Sequence, residues 1–164
     1  MIDTIKIGNL KWHHIANTSD ENINYIEEHF DFHPLDLEDC KSKSQRSKID
    51  IYDNYNFLIL HFPYFDIVNK FIRTKEVKIF WGKDYIITIG KSHWVIKTFF
   101  DEIKEKIDNN VENENIPNTS DLLLYNILEH LMKETNKLLQ KVDNSLERIN
   151  RELFNILRCP IKYL

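Results

Sequence analysis

Glycine and proline are scarce in this chain, at three and four residues among 164, and cysteine occurs only twice. Three glycines cannot line a phosphate cradle, and there is no P-loop, no G-x-S-x-G elbow and no H-E-x-x-H zinc motif. So few turn-formers, with 12% aromatic residues, also exclude a disordered or low-complexity chain. Cys40 and Cys159 match neither a secreted disulfide framework nor a zinc knuckle, so a reducing cytosolic compartment is expected. Long apolar runs are missing too. The stretch "FLILHFPYF" is interrupted by His61 and Pro63 and falls far short of the roughly 20 residues that span a bilayer. Positive charge is not in excess: 22 Lys and Arg against 26 Asp and Glu leave a net charge of -4, which argues against a nucleic-acid surface. The opening "MIDTIKIGNLKW" has neither a basic-then-apolar signal pattern nor the Arg- and Ser-rich look of a transit peptide, so export is not expected.

What is present, 42% hydrophobic residues over this length, suffices for one well-buried core. "TIKI" and "LKWHHIA" read as short strands, and "SDENINYIEEHF" as a helix capped by Ser19 with Ile23, Ile26 and Phe30 on one face. Pro34 opens a second short helix, because its fixed φ and missing N–H suit a first helical position. "KSKSQRSK" is a loop. The β-branched and aromatic runs "SKIDIYD" and "NFLILHFPYF" flank a turn, and "KEVKIFW" pairs with "YIITIG" across Gly82, Lys83 and Asp84. Hairpins of this kind make the sheet at least partly antiparallel. "SHWVIKTFFDEIKEKI" is a helix with Val95, Phe99, Ile103 and Ile107 along one side, followed by the polar linker "DNNVENENIPNTS".

From about Ser120 to Leu157, the residues Leu124, Leu128, Leu131, Thr135, Leu138, Val142, Leu146, Ile149, Leu153 and Ile156 recur three and four apart. That spacing predicts one helix roughly 55 Å long, against a radius of gyration of roughly 15 Å for a compact domain of this size, so its far end leaves the globule. Beyond the first turns the stripe needs a partner chain or further chain to cover it. The expected division is residues 1–118 as an α/β body and 119–164 as the long helix.

The stretch "FHPLDLEDCKSKSQRSK" concentrates the chemistry. Asp36 falls in the first turn of the helix opened by Pro34, where a carboxylate complements the dipole, whereas Glu38 and Asp39 come near its C-terminal end, where the dipole disfavours them. Something cationic has to compensate. The local candidates are Lys41, Lys43, Arg46 and Lys48. The alternative is a hard divalent cation such as Mg²⁺, which takes oxygen ligands and is held by one or two carboxylates. Adjacent helical residues point roughly 100° apart, so Glu38 and Asp39 would each need a carboxylate from elsewhere. Transition-metal sites are less favoured: Pro34 interrupts the His29/His33 pair, and His13 and His14, adjacent on a strand, face opposite sides. His61 and His130 read as core or surface residues. Ser42, Ser44 and Ser47 have no evident His and Asp partners. A metal-dependent phosphohydrolase using Asp36, Glu38 and Asp39 is a rival reading, and an oligomerisation module built on the apolar stripe is another.

The order "FDFHPLDLEDCKSKSQRSKIDIYDNYNFLILHFPYFD", "KEVKIFWGKDYIITI" and "SDLLLYNILEHLMKETNKLLQKVDNSLERI" resembles the cytosolic N-terminal domain of the CorA family of Mg²⁺ and Co²⁺ transporters, from about Trp12 onward. The resemblance implies a mixed parallel and antiparallel sheet sandwiched between helical layers, followed by a long stalk-type helix, with the chain on the cytoplasmic face of the cell membrane. It implies a homopentamer in which regulatory Mg²⁺, or Co²⁺, Ni²⁺ or Zn²⁺, binds between neighbouring domains, at positions corresponding to Glu38, Asp39 and Glu129. It implies a transporter part and not an enzyme. Where relatives have proline in the Gln-Arg-Pro-Lys segment this chain has Ser47, which predicts a looser loop. Two transmembrane helices and the Gly-Met-Asn signature are not in the sequence, so it is expected to be one portion of a longer transporter.

Overall fold

The computed structural model describes residues 2–42, 44–90, 94–109 and 116–158, with side chains described through residue 155. Lys43, Cys159, the expected helix start at Ser92 and His93, and the centre of the polar linker lie outside the described residues. Among the described residues ten elements follow one another: β1 (Ile2–Ile7), β2 (Leu10–Ile15), α1 (Asp20–His29), α2 (Pro34–Lys41), β3 (Lys48–Ile51), β4 (Tyr55–Asp66), β5 (Phe71–Gly82), β6 (Tyr85–Ile89), α3 (Trp94–Asp108) and α4 (Ser120–Arg158). The strands form a six-stranded sheet in the order β1-β2-β6-β5-β4-β3. Only β2 and β6 run parallel; the three hairpins and the β1–β2 pair make every other contact antiparallel, as the turn signals require.

The two central strands show why both faces are covered. Val77, Lys78, Ile79 and Phe80 of β5, and Ile86 to Ile89 of β6, are buried without alternation, which occurs only when each face meets another layer. On one face Trp12, Val77, Ile79 and Ile86 pack against Val95, Ile96, Phe99, Phe100 and Ile103 of α3 and Leu123, Leu124, Ile127 and Leu131 of α4. On the other, Phe57, Ile59, Phe80 and Ile87 pack against Ile23 and Ile26 of α1 and Leu37 and Cys40 of α2. The expected face of α3 is therefore inside but wider, because Ile96 and Phe100 join it.

Glycine is required at two places. Gly8 turns β1 into β2 at φ 59°, a left-handed conformation that costs side-chain-bearing residues. At Gly82 an added Cβ would run into the Tyr85 ring. Ser19 does occupy the N-cap of α1, but its side chain makes no capping bond there. The cap region is held by Asn22, whose amide donates to the Asn17 carbonyl at 3.0 Å and its side-chain oxygen at 2.8 Å.

The long helix α4 spans 39 residues, about 58 Å. Its start is pinned to the sheet: the Trp81 indole donates to Asp121 at 3.0 Å, and the Ser120 hydroxyl donates to the Lys83 carbonyl at 3.1 Å. The Leu122 N–H is capped by Thr119 Oγ1 at 3.3 Å. Buried residues end at Leu131, and beyond Val142 every described side chain is exposed. The predicted stripe thus splits. Leu124 and Leu131 are in the core together with Leu123 and Ile127, whereas its later members leave the body.

Candidate metal centre

Helix α2 begins where proline demands it. Pro34 sits in its first turn, and His33 is the N-cap, its Nδ1 accepting from the Leu35 N–H at 3.2 Å. Asp36 is turned inward and is 1% exposed. The Tyr55 hydroxyl donates to Asp36 Oδ2 at 2.8 Å, itself accepting from the His33 N–H at 2.8 Å, and the Tyr52 hydroxyl donates to Oδ1 at 3.3 Å. Burial pushes the Asp36 carboxyl above its usual range, against the two tyrosine hydrogen bonds that stabilise the anion. Asp36 thus fastens α2 to the sheet.

Glu38 is exposed and makes no ion pair among the described residues, while Asp39 is half-buried. Of the local cations proposed as compensation, Lys48 alone among the described residues pairs with one of these acids. Its ammonium lies 2.7 Å from Asp39 Oδ2 and 4.0 Å from Asp36 Oδ1, pairs with Asp50, and sits 5.4 Å from the Phe57 ring centroid. Partial burial opposes the charge, but the hydrogen bonds and charges of Asp39 and Asp50 prevail and raise the Lys48 pKa. Lys41 and Arg46 make no ion pair among the described residues, and Lys43 lies outside them.

The second compensating cation, Lys78, comes from the middle of the sheet. It is 4% exposed on the α2 face of β5. Its ammonium pairs with Glu76 Oε1 at 2.7 Å and donates to the carbonyls of Cys40 and Ser42 at 3.4 Å each. Those carbonyls close the C-terminal end of α2, so a cation sits where the helix dipole is negative. The same Glu76 accepts from the Gln45 N–H at 2.6 Å and lies 3.6 Å from His61 Nε2, whose Nδ1 meets the Ser47 hydroxyl at 2.9 Å. The loop after α2, expected to be loose without its proline, is tied to the sheet at Ser42, Gln45 and Ser47. Cys40, beneath it, is a buried thiol pushed up to about 12 by burial, so it stays protonated and unreactive.

Glu129 lies on α4, across the sheet from α2, and pairs with Lys133 at 3.1 Å. The chain therefore brings Glu38 and Asp39 together and holds Glu129 apart from them. Among the described residues no group of three or more His, Cys, Asp or Glu is placed to hold a metal ion. The histidines have other roles. His13 meets Thr4 at 2.8 Å and stacks edge-on against Phe30, while His14 faces the opposite layer beside Phe100. His29 stacks on Tyr25, and His130 on Phe99. Reading the sequence missed the Lys78–Glu76 pair, although one signal was there: a lysine inside the apolar run "VKIF" of a central strand has to be buried and paired.

These features define an α/β/α sandwich with one long helical arm, and among the described residues no helix is long and apolar enough to cross a membrane. The chain belongs to the CorA-like Mg²⁺ transporter protein family, whose model matches residues 8–158. It is 27% identical over 130 residues to the cobalt/magnesium transport protein CorA of Thermotoga maritima, a match covering 78% of this chain and 35% of that protein. The chain thus spans about a third of that curated relative. The soluble domain of CorA from Methanocaldococcus jannaschii superposes with a TM-score of 0.69 at 17% identity, covering 90% of this chain and 56% of that one. The ZntB cytoplasmic domain from Vibrio parahaemolyticus gives 0.66 at 15% identity, covering 85% and 54%. At these identities the structures attest the shared fold.

Proposed function

We propose that this chain is the cation-sensing cytoplasmic portion of a CorA-like magnesium or cobalt transporter, with residues 1–118 as the sensing body and 119–164 as an arm leading toward a stalk and a membrane region. In this reading a hydrated Mg²⁺, or Co²⁺, Ni²⁺ or Zn²⁺, bridges Glu38 or Asp39 of one subunit to Glu129 of its neighbour in a homopentamer at the cytoplasmic face of the cell membrane. The observation that carries it is the separation of these acids onto opposite faces of one sheet. A chain so built cannot close the site on itself, so a shared ion has to lie between chains. Carboxylate oxygens are the donor set a hard dication takes. When the ion leaves, repulsion between acidic faces loosens the ring, and the long helix carries the change away from the sensing body. Asp36, buried against two tyrosines, and the exposed Glu38 do not converge as a hydrolytic metal site would require.

Calorimetric titration of the chain with Mg²⁺ should show weak binding, in the range of about 1 mM, that falls at least tenfold in Glu38→Gln/Asp39→Asn. Equal binding by that double variant rules the site out. Lys48 competes with a dication for Asp39, so Lys48→Gln should strengthen Mg²⁺ binding by about threefold or more, because an uncompensated carboxylate pair attracts the ion. An unchanged isotherm would mean that Asp39 is no ligand.

A further inference from the structure

Strands β4 and β5 pair along their full lengths, but β3 covers only Asn56 to Ile59 of β4 and β6 only Lys78 to Trp81 of β5. Among the described residues the remainder is a two-stranded ribbon with neither edge paired to a further strand, a form that is marginally stable in water on its own. Its base is held by the body, since Phe62 and Val77 lie in the core. Its tip is exposed. Phe65, Ile67, Val68, Phe71 and Ile72 are 45 to 88% exposed, a contiguous apolar surface of the kind that marks a contact site. We infer that this tip docks on the surface of an anionic lipid bilayer and dips its apolar apex into the interface.

Shape selects that occupant. Alternation along the strands puts Phe65 and Ile72 on one face of the ribbon and Phe71 on the other, with Ile67 and Val68 in the turn at the apex. A folded partner meets one face of such a ribbon, whereas a lipid interface surrounds an inserted tip on every side. The most exposed of these side chains, Ile67 and Val68, are aliphatic. They suit acyl chains better than the bases of a single-stranded nucleic acid, which stack on aromatic rings.

Charge points the same way. From Tyr64 to Lys75 the chain has three basic residues, Lys70, Arg73 and Lys75, and one acid, in a protein whose net charge is -4. That acid, Asp66, is engaged internally: it accepts from the N–H groups of Val68 and Asn69 at 3.1 and 3.0 Å and pairs with Arg73 at 3.2 Å, which fixes the turn. Arg73 lies 4.5 Å over the Phe71 ring, an apolar body with a cation beside it, as suits the headgroup level. Lys70 closes the turn at φ 55°, a conformation that asparagine or glycine takes at lower cost, so a charge stands where an easier turn residue would fit. Strand β4 also runs beside α4 in the same sense: Trp81, opposite Asn56, bonds Asp121, and Phe65 and Ile67 share a cleft with Lys141 and Asn144. The tip therefore points toward the far end of the arm, the side on which the proposed function places a membrane region.

The contact requires neither a bound dication nor a membrane-crossing segment, which separates its test from that of the proposed cation site. The test is co-sedimentation of the chain with extruded vesicles in EDTA, so that no dication bridges protein and lipid. Vesicles of phosphatidylcholine with roughly 40% phosphatidylglycerol should bind at least about tenfold more tightly than pure phosphatidylcholine at about 0.1 M salt, and the difference should shrink at about 0.5 M. Ile67→Ser/Val68→Ser should weaken binding by about tenfold or more, because the inserted apolar groups are gone. Lys70→Asn/Lys75→Gln should remove most of the preference for the anionic lipid while keeping the turn, since asparagine tolerates the left-handed conformation. Thermal unfolding like that of the wild type shows that each variant is folded. Absence of binding to the anionic vesicles, equal binding to both lipids, or serine variants that bind like the wild type would each overturn the inference.

Discussion

Lys78→Met is expected to destabilise the fold by about 3–5 kcal/mol, the range for removing one partner of a buried ion pair. The side chain is of similar length and apolar, so packing is largely kept. What is lost is the ammonium that pairs with the half-buried Glu76 and donates to the Cys40 and Ser42 carbonyls. Denaturant titration followed by tryptophan fluorescence measures the effect. The double variant Lys78→Met/Glu76→Leu should recover much of the loss, because then neither charge is stranded. If Lys78→Met unfolded within about 1 kcal/mol of wild type, the ammonium would not be what closes α2. A second consequence reaches the acids: with the loop at Ser42 and Gln45 released, α2 loses its C-terminal anchor and Asp39 its fixed approach to Lys48.

Much of this architecture is legible residue by residue. Pro34 begins α2 because its ring suits that position, and the 3-4 spacing from Leu124 onward yields one helix of 39 residues. His13 and His14 do face opposite layers, as adjacency on a strand dictates. The illegible part is long-range. Basic residues near in sequence to Glu38 and Asp39 are easy to nominate, yet among the described ones only Lys48 answers, and the ammonium at the end of α2 comes from a strand 36 to 38 residues away. Periodicity on α4 likewise marks an apolar stripe without saying where it stops facing the sheet. That depends on where β4 and α3 end, so Leu123 and Ile127 belong to the core while Leu146 and Leu153 do not. The placement of Asp36 is of the same kind. First-turn position explains its charge, but only the fold supplies Tyr52 and Tyr55 to receive it.

The electrostatics of the acid corner follow from these placements. Four carboxylates, Asp36, Glu38, Asp39 and Asp50, lie on or beside α2, and one ammonium, Lys48, serves three of them. Glu38 is exposed and makes no ion pair among the described residues. A corner of net negative charge with one carboxylate free is compatible with a fold that is stable without bound cation and can still recruit one across a subunit boundary.

Acidification should destabilise the domain from about pH 6.5 downward, before most carboxylates titrate. His13 and His14 are both buried, 6% and 3% exposed. Burial lowers the pKa of His13, reinforced by Lys11 and His29. For His14 burial and Lys97 lower it, partly opposed by Asp3 and Asp101. His14 Nδ1 lies 3.0 Å from Thr88 Oγ1, which accepts from the Trp12 indole at 3.1 Å and donates to the His13 carbonyl at 3.5 Å. Because the folded-state values lie below the unfolded one, the unfolded chain binds more protons between them. Stability is then complete above the unfolded pKa and is lost as pH falls through it, by up to about 1.4 kcal/mol per pH unit for each histidine. Asp36, whose pKa is raised, works in the opposite sense at lower pH, where the folded chain binds the extra proton, so the curve should flatten on its account. Chemical denaturation between about pH 7.5 and 5 tests this, with His13→Gln/His14→Gln as the comparison. The double variant lacks both titrating rings and should be less stable at neutral pH but nearly independent of pH over that interval. An equally steep decline in the variant would place the acid sensitivity in other groups.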